Sequence, residues 1–379
     1  MSFDITVEGG TSVRLPTAGK YCDRDIVVTA TGGGVTGEFV LCGDAEKVGV
    51  EDFIAREQIT AIYLPNATFV NGDAFHSYYK LTSVDLPNAT TIGDDAFANC
   101  SVLTSVNIPK VNNIGNHAFR TCVALASVSL PYCTHIYENA FEDCTALTSA
   151  FLPYVRDVSY RTFFNCHNLT DVHIPEATDI MEGAFQNCTS LKNIEMRNVQ
   201  SIGNDAFCYC TSLTSVTIPD SVTTIGNDAF SYCYNLTSVT IPNSVIAIGE
   251  FAFFECYRLT SVDIPASVAT IGKRAFSGCS ALTAIHVSPA NSHYSSVDGV
   301  LFDKEKTTLV QCPGGIGGAY TIPDGVTTIG DGAFRYCTSL EMVTIGDSVT
   351  TIEDAAFYGC KTLFTATIGD SVTSIGEYA

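Results

Sequence analysis

The chain is organised by a hydrophobic pattern that repeats every 22 or 23 residues. Phe75, Phe97, Phe119, Phe141, Phe163, Phe185 and Phe207 are spaced by 22, and Phe230, Phe253 and Phe276 continue at 23. After a gap of 58 residues, Phe334 and Phe357 resume the 23-residue step. Leu81, Leu103, Leu125 and their successors keep the same beat. The fullest unit begins Leu213-Thr-Ser-Val-Thr-Ile-Pro and ends at Asn235. Within it, Leu-x-x-Val-x-Ile alternates with period two and is rich in β-branched residues, which predicts a short strand. Proline ends that strand because it has no N–H to give to a ladder. Val-x-x-Ile-Gly predicts a second short extended piece. Gly93, Gly203 and Gly226 read as allowing a tight bend. Asp94 and Asp95 before Ala96-Phe97 read as an N-cap for one helical turn, with Phe97 and Cys100 on its inner face. A single unit has too few inward side chains for a core, so neighbouring units must stack. The predicted class is an α/β repeat solenoid.

The strings Leu-Thr-Ser-Val-x-Ile-Pro, Ile-Gly-x-x-Ala-Phe and Phe-x-x-Cys, over roughly residues 59–379, resemble the BspA-like leucine-rich repeat family, also called the Treponema pallidum-type. The resemblance implies a curved right-handed leucine-rich-repeat horseshoe or arc with a parallel β-sheet on its concave side. It also implies an adhesin-like role on the surface of a host-associated microbe, and hence a cell-surface or secreted location.

Residues 1–34 lack the repeat and read as a small β-rich appendage. Strands at Ile5 and Asp25 are expected around a turn near Pro16 to Gly19, with Thr31 to Gly34 as a flexible joint. The string from Val13 to Val28 resembles short modules in tail-fibre-like proteins of phages from gut bacteria. Residues 35–58 read as an N-terminal cap, with a helix over 44–58 covering the first coil. Residues 59–379 form the solenoid. Its irregular insert, 288–320, is expected to hold two strands, 296–302 and 307–311, joined by Asp303 to Lys306. The last repeat stops short of its expected phenylalanine, so its uncovered edge invites edge-to-edge self-association.

Charge and composition narrow the function. Only 16% of residues are charged, and the net charge is −21. Nucleic-acid binding needs a basic footprint and is not expected. No stretch approaches the ~20 apolar residues of a membrane helix, so no membrane insertion is expected. No signal peptide or wall anchor is visible in the sequence.

Sixteen cysteines invite a search for metal or redox chemistry. Eleven of them, from Cys100, Cys122, Cys144, Cys166, Cys188, Cys210 and Cys233 to Cys360, stand three residues after a repeat phenylalanine. No Cys-x-x-Cys pair occurs, as a metal site would want. Neighbouring ladder cysteines lie within disulfide reach by distance alone, yet each has two equivalent partners. They read as free thiols filling small apolar slots. Cys312, before Pro-Gly-Gly, reads as exposed. No histidine is tied to it by spacing as a base, and no phosphate loop or nucleophile elbow is present. No catalysis, metal or cofactor is expected. Phe97, Phe119, Phe141, Phe185, Phe207 and Phe230 read as the structural ladder.

The informative variation lies on the outward face of the strands. Most repeats carry small or polar residues there, but Phe151, His173 and Glu195 follow one another. Two residues earlier, Asp171 and Asn193 break a column of serines. Tyr132, Tyr154 and Arg156 lie just past the strands. Aromatics, histidine and arginine are typical interface anchors, which makes Phe151, Tyr154, Arg156, Asp171, His173, Asn193 and Glu195 the candidate ligand-binding residues. Neutral drift of the repeat is the competing explanation. The expected function is non-enzymatic binding of a protein or glycan on a host or neighbouring cell. The alternative is a phage tail or virion component recognising a host cell.

Overall fold

A computed structural model describes residues 2–7, 11–16, 25–32, 35–42, 59–63 and 67–379. The chain divides into two compact units, Met1–Arg197 and Asn198–Ala379. Each is built from stacked coils, and most coils contribute two short strands.

In the first unit, Ser2–Val7 pairs antiparallel with Thr11–Pro16 on one side and with Ile59–Tyr63 on the other. Ser83–Asp85 and Ser105–Asn107 then extend the sheet in parallel, one repeat per strand. The edge beside the first coil is therefore covered by an N-terminal hairpin. Asp25–Gly32 forms a second hairpin with Val35–Cys42, with Gly32 opposite Val35. Two expectations change. The strands at Ile5 and Asp25 belong to separate hairpins. Thr31 and Gly32, expected as the start of a flexible joint, lie in a paired strand. The helix expected over 44–58 lies outside the described residues.

Further along this unit, Ser127–Ser129, Ser149–Phe151 and Asp171–His173 pair in parallel with a register of one repeat. The second strand of each coil makes its own narrow ladder, through Thr91–Ile92, Asn113–Ile114, His135–Ile136 and Asp157–Val158 to Asp179–Ile180. The second unit repeats the plan. Ser201–Ile202, Thr224–Ile225, Ala247–Ile248 and Thr270–Ile271 form the narrow ladder. Ser215–Thr217 pairs with Ser238–Thr240, and Ser261–Ile264 with Ala284–Val287.

The expected helical turn does not form, and the described residues contain no helix. After each Ile-Gly the chain runs through consecutive turns in which alternate N–H groups serve different partners. Ala98 and Cys100 donate to Asp95 and Phe97, three residues back. Asp95, Phe97 and Asn99 instead donate to Asn116, Ala118 and Arg120 of the next coil, each at 2.8 Å. A helix would need all these donors for itself. The pattern requires a left-handed residue on either side of the phenylalanine, as at Asp95 (φ 55°) and Asn99 (φ 62°). Asp94 does cap a backbone, but that of its neighbour: its Oδ1 accepts from the Asn116 N–H at 2.7 Å.

The glycines after isoleucine also have a different cause from the bend first expected. Gly226 does not have a positive φ. A β-carbon built on it would lie 2.5 Å from the Gly203 carbonyl carbon, closer than non-bonded atoms tolerate. Backbone crowding between coils, and not a bend, excludes a side chain there.

The core is a stack of repeat phenylalanines. Phe97, Phe119, Phe141, Phe185, Phe207 and Phe230 are fully buried. Phe97 and Phe119 lie 5.3 Å apart between centroids and 9° from parallel. The ladder cysteines Cys100, Cys122, Cys144, Cys188, Cys210 and Cys233 are buried beside them. The Cys122 thiol donates to the Phe97 carbonyl at 3.2 Å, and Cys144 donates likewise to Phe119 at 3.1 Å. Each thiol thus satisfies its weak donor on the preceding coil while filling an apolar slot.

The insert is a three-stranded meander. Tyr294–Val297, Val300–Asp303 and Thr308–Gln311 pair antiparallel in turn. Asp298 and Gly299 both have positive φ, so the run expected as one strand folds back on itself there. Thr308–Gln311 then pairs in parallel with Thr328–Ile329 and returns the chain to the solenoid. Val300, Phe302, Leu309 and Cys312 share one core with the coils that follow. Cys312, expected to be exposed, is fully buried in that core.

Candidate functional site

Strand pairing decides which outward residues meet. Ser149–Phe151 and Asp171–His173 are in register, so Phe151 opposes His173 and Ser149 opposes Asp171. Val172 and Ala150 between them are buried and hold the strands to the core. The outward rings of Phe151 and His173 stack, with centroids 4.9 Å apart and planes within 3°. Phe151 remains 43% exposed, an unusual position for a phenylalanine in a chain that buries most of its others.

Tyr154 and Arg156 follow on the same coil as Phe151, just past its proline, and both are exposed. Tyr132 holds the position of Tyr154 one repeat earlier and is also exposed. Two exposed tyrosines thus occupy equivalent positions on adjacent coils. Asn193 and Glu195 do not join them through the sheet. Residues 191–196 are not in a strand, and the three-strand ladder stops at Asp171–His173. Glu195 pairs with Arg197 at 3.3 Å, both side chains being largely exposed. Such a pair contributes little to stability. Of the candidate residues, strand register brings Phe151, His173 and Asp171 onto adjacent strands, with Tyr154 and Arg156 on the coil of Phe151.

Among the described residues, no cluster of three or more His, Cys, Asp or Glu side chains could hold a metal ion. Burial pushes the thiols of Cys100 and Cys133 up to about 12. A thiol held that high is protonated at neutral pH and is a poor nucleophile. No helix among the described residues is long and apolar enough to cross a membrane.

A second aromatic feature, in the second unit, was not evident from the repeat; its tyrosines are half-buried except Tyr257, which is exposed. Tyr209 and Tyr232 stack at 4.2 Å and 8°, and Tyr234 and Tyr257 at 5.0 Å and 5°. Tyr232 meets Phe254 edge-on at 5.4 Å. The four tyrosines occupy the second and fourth places after the repeat phenylalanine, in the turns. The second place is left-handed, with φ 60° at both Tyr209 and Tyr232. Two tyrosine pairs, each spaced by one repeat of 23, were the available signal. Strand-centred reading passes over it because turn positions carry no alternation.

Comparison with known proteins agrees with the coil geometry. The BspA type leucine rich repeat region matches residues 68–192, 178–308 and 319–379, in six copies. A leucine-rich repeat protein from Bacteroides ovatus has a similar structure, with a TM-score of 0.65 and 25% identity, covering 94% of this chain and 90% of its own. A leucine-rich cell surface protein from Faecalibacterium prausnitzii is 28% identical, with a TM-score of 0.52, covering 92% of this chain and 79% of its own. No curated protein matches the chain. With stacked coils, matched repeats and leucine-rich structural relatives in agreement, the chain belongs to the BspA-type leucine-rich repeat family.

Proposed function

We propose that the chain is a non-enzymatic recognition module that binds a protein or glycan at a microbial cell surface through the outward face around Phe151 and His173. The stacked, exposed Phe151–His173 pair carries the reading. At the equivalent strand position other coils carry small or polar side chains, such as Ser129, Thr217 and Thr240. Two rings held against each other on adjacent strands are pre-organised, so little side-chain entropy is lost on binding. Tyr154 and Arg156 add residue types that anchor interfaces, and Asp171 adds a charge that sets register. The Faecalibacterium relative is described as a leucine-rich cell surface protein, which supports the surface assignment.

The test is a binding screen of the full chain against immobilised matrix proteins, mucins and glycans, beside the double variant Phe151→Ser, His173→Thr. Binding that the parent shows and the variant loses supports the reading. Equal binding by both places the interface elsewhere.

A further inference from the structure

We propose that a break in the tyrosine tract of the second unit, between Tyr257 and Tyr336, is a glycan-binding cleft that seats a neutral sugar ring between the two tyrosines. This site is separate from the Phe151–His173 face and does not rest on it.

The cleft arises from one coil that withdraws its side chains. At the second place after the repeat phenylalanine, the half-buried Tyr209 and Tyr232 are followed by Glu255 and then by Gly278 in the coil of Phe276, before Tyr336 resumes the tyrosines. At the fourth place, Tyr234 and Tyr257 are followed by Ser280. Gly278 has φ +78°, and a β-carbon on it would lie 2.8 Å from the Glu255 side chain. Both conformation and space keep that floor bare. The resulting cavity is about 470 Å³, within the range of small-ligand sites. Tyr257 and Tyr336 line it, with Glu255, Lys361 and the hydroxyl residues Ser280 and Thr338.

This lining selects among ligands. Tyrosine rings offer flat apolar faces that suit the C–H face of a pyranose, and they keep a polar tip for water or hydroxyls. Glu255 accepts from the Tyr257 hydroxyl and retains acceptor capacity. Lys361 can only donate, and Ser280 and Thr338 can do both. A ligand with many hydroxyls satisfies this mixture. A purely apolar side chain would leave those polar groups desolvated and unpaired. A cation is disfavoured because the Arg335 guanidinium already lies 4.9 Å from the Tyr336 ring centroid and 4.6 Å from that of Tyr358. A phosphate is disfavoured by the Glu255 carboxylate. Stacked Tyr234 flanks Tyr257 on one side, and Tyr358 meets Tyr336 edge-on at 5.7 Å on the other. Further sugar residues would find aromatic surface beyond the cleft, so the structure favours an internal stretch of a polysaccharide.

The test is affinity electrophoresis of the full chain in native gels containing, separately, arabinoxylan, glucomannan, mixed-linkage β-glucan, starch or desialylated mucin. Retardation by at least one is expected. Tyr257→Ala should weaken it at least tenfold, and Ser280→Tyr, which fills the gap, should abolish it. Tyr257→Phe should retain most of it, because the ring face remains. Both substituted positions are exposed, and unchanged melting temperatures would confirm that the variants fold. Phe151→Ser with His173→Thr should leave retardation unchanged. Retardation by none of the five overturns the assignment. So does retardation that survives both Tyr257→Ala and Ser280→Tyr, or that is lost in the Phe151→Ser, His173→Thr variant.

Discussion

Phe151 and His173 sit opposite each other on adjacent parallel strands, with 4.9 Å between ring centroids and ring planes 3° from parallel. Their backbones are fixed by the same ladder that stacks the coils, and Val172 and Ala150 anchor that ladder in the core. The outward pair is thus presented by hydrogen-bonded strands anchored in the core, while its own side chains project away from that core. Replacing Phe151 by Ser and His173 by Thr restores the small residues typical of other coils. We expect a ligand captured in the binding screen to lose at least tenfold in affinity, ~1.4 kcal/mol. Exposed cross-strand pairs contribute roughly 0.2–1 kcal/mol to stability, so the thermal midpoint should move little. A large drop in midpoint would show that the pair is structural.

The phenylalanine stack should behave in the opposite way. Phe207 is fully buried and stacks on Phe230 at 5.2 Å and 6°. Phe207→Ala should cost ~3–5 kcal/mol. In a solenoid the loss spreads chiefly to adjacent coils, so hydrogen exchange should quicken first around the Phe207 and Phe230 coils. An unchanged midpoint in urea would mean that the stack is not the core.

Gly226 makes a backbone prediction. An alanine there would place its β-carbon 2.5 Å from the Gly203 carbonyl carbon, with no flexible side chain to move aside. Overpacking of this kind costs about 1–3 kcal/mol. Gly325 has nothing within 4 Å of a built β-carbon, and only its positive φ of 91° opposes substitution. Comparing urea midpoints of Gly226→Ala and Gly325→Asn isolates crowding from backbone strain, because asparagine tolerates left-handed φ. The Gly226 variant should be the less stable; the reverse order would refute close coil approach as the cause.

Fourteen cysteines are free among the described residues, and Cys360 alone of these is not buried. Alkylation of the native protein, read by mass spectrometry, should label Cys360 first, with the others reacting only after denaturant is added. Intrachain disulfides between adjacent ladder positions would contradict the packing.

The same thiols give a pH dependence. Burial raises Cys100 and Cys133 from 9.0 to about 12. The folded state therefore holds these protons more tightly than the unfolded chain. Their contribution to stability is complete below about pH 9 and is lost as pH rises toward 12. Urea unfolding should show stability falling between pH 9 and 11. Cys100→Ala, although less stable at pH 7, should show a shallower fall than the parent. Parallel curves would assign the effect to other groups.

Some of this was legible in the chain because it is local and repeated. The 22-residue spacing of Phe97, Phe119 and Phe141 identified the stack, since one coil must bury what the next supplies. Outward exposure of Phe151 and His173 followed from strand alternation alone. Other features depend on where donors go across coils. Asp94 and Asp95 look like a helix start, yet the N–H groups of Asp95, Phe97 and Asn99 bond forward to the next coil, and the helix is lost.

Taken alone, then, the sequence determined the repeat unit, its family, the buried ladders and the outward Phe151 and His173, because each is set within one coil or between identical neighbours. Only the tertiary structure decided the rest. It left Asn193 and Glu195 outside the strand ladder, buried Cys312 in the core of the insert, and opened a cleft between Tyr257 and Tyr336. Those outcomes turn on interruptions of the repeat, where hydrogen bonds and packing join residues that no fixed spacing connects.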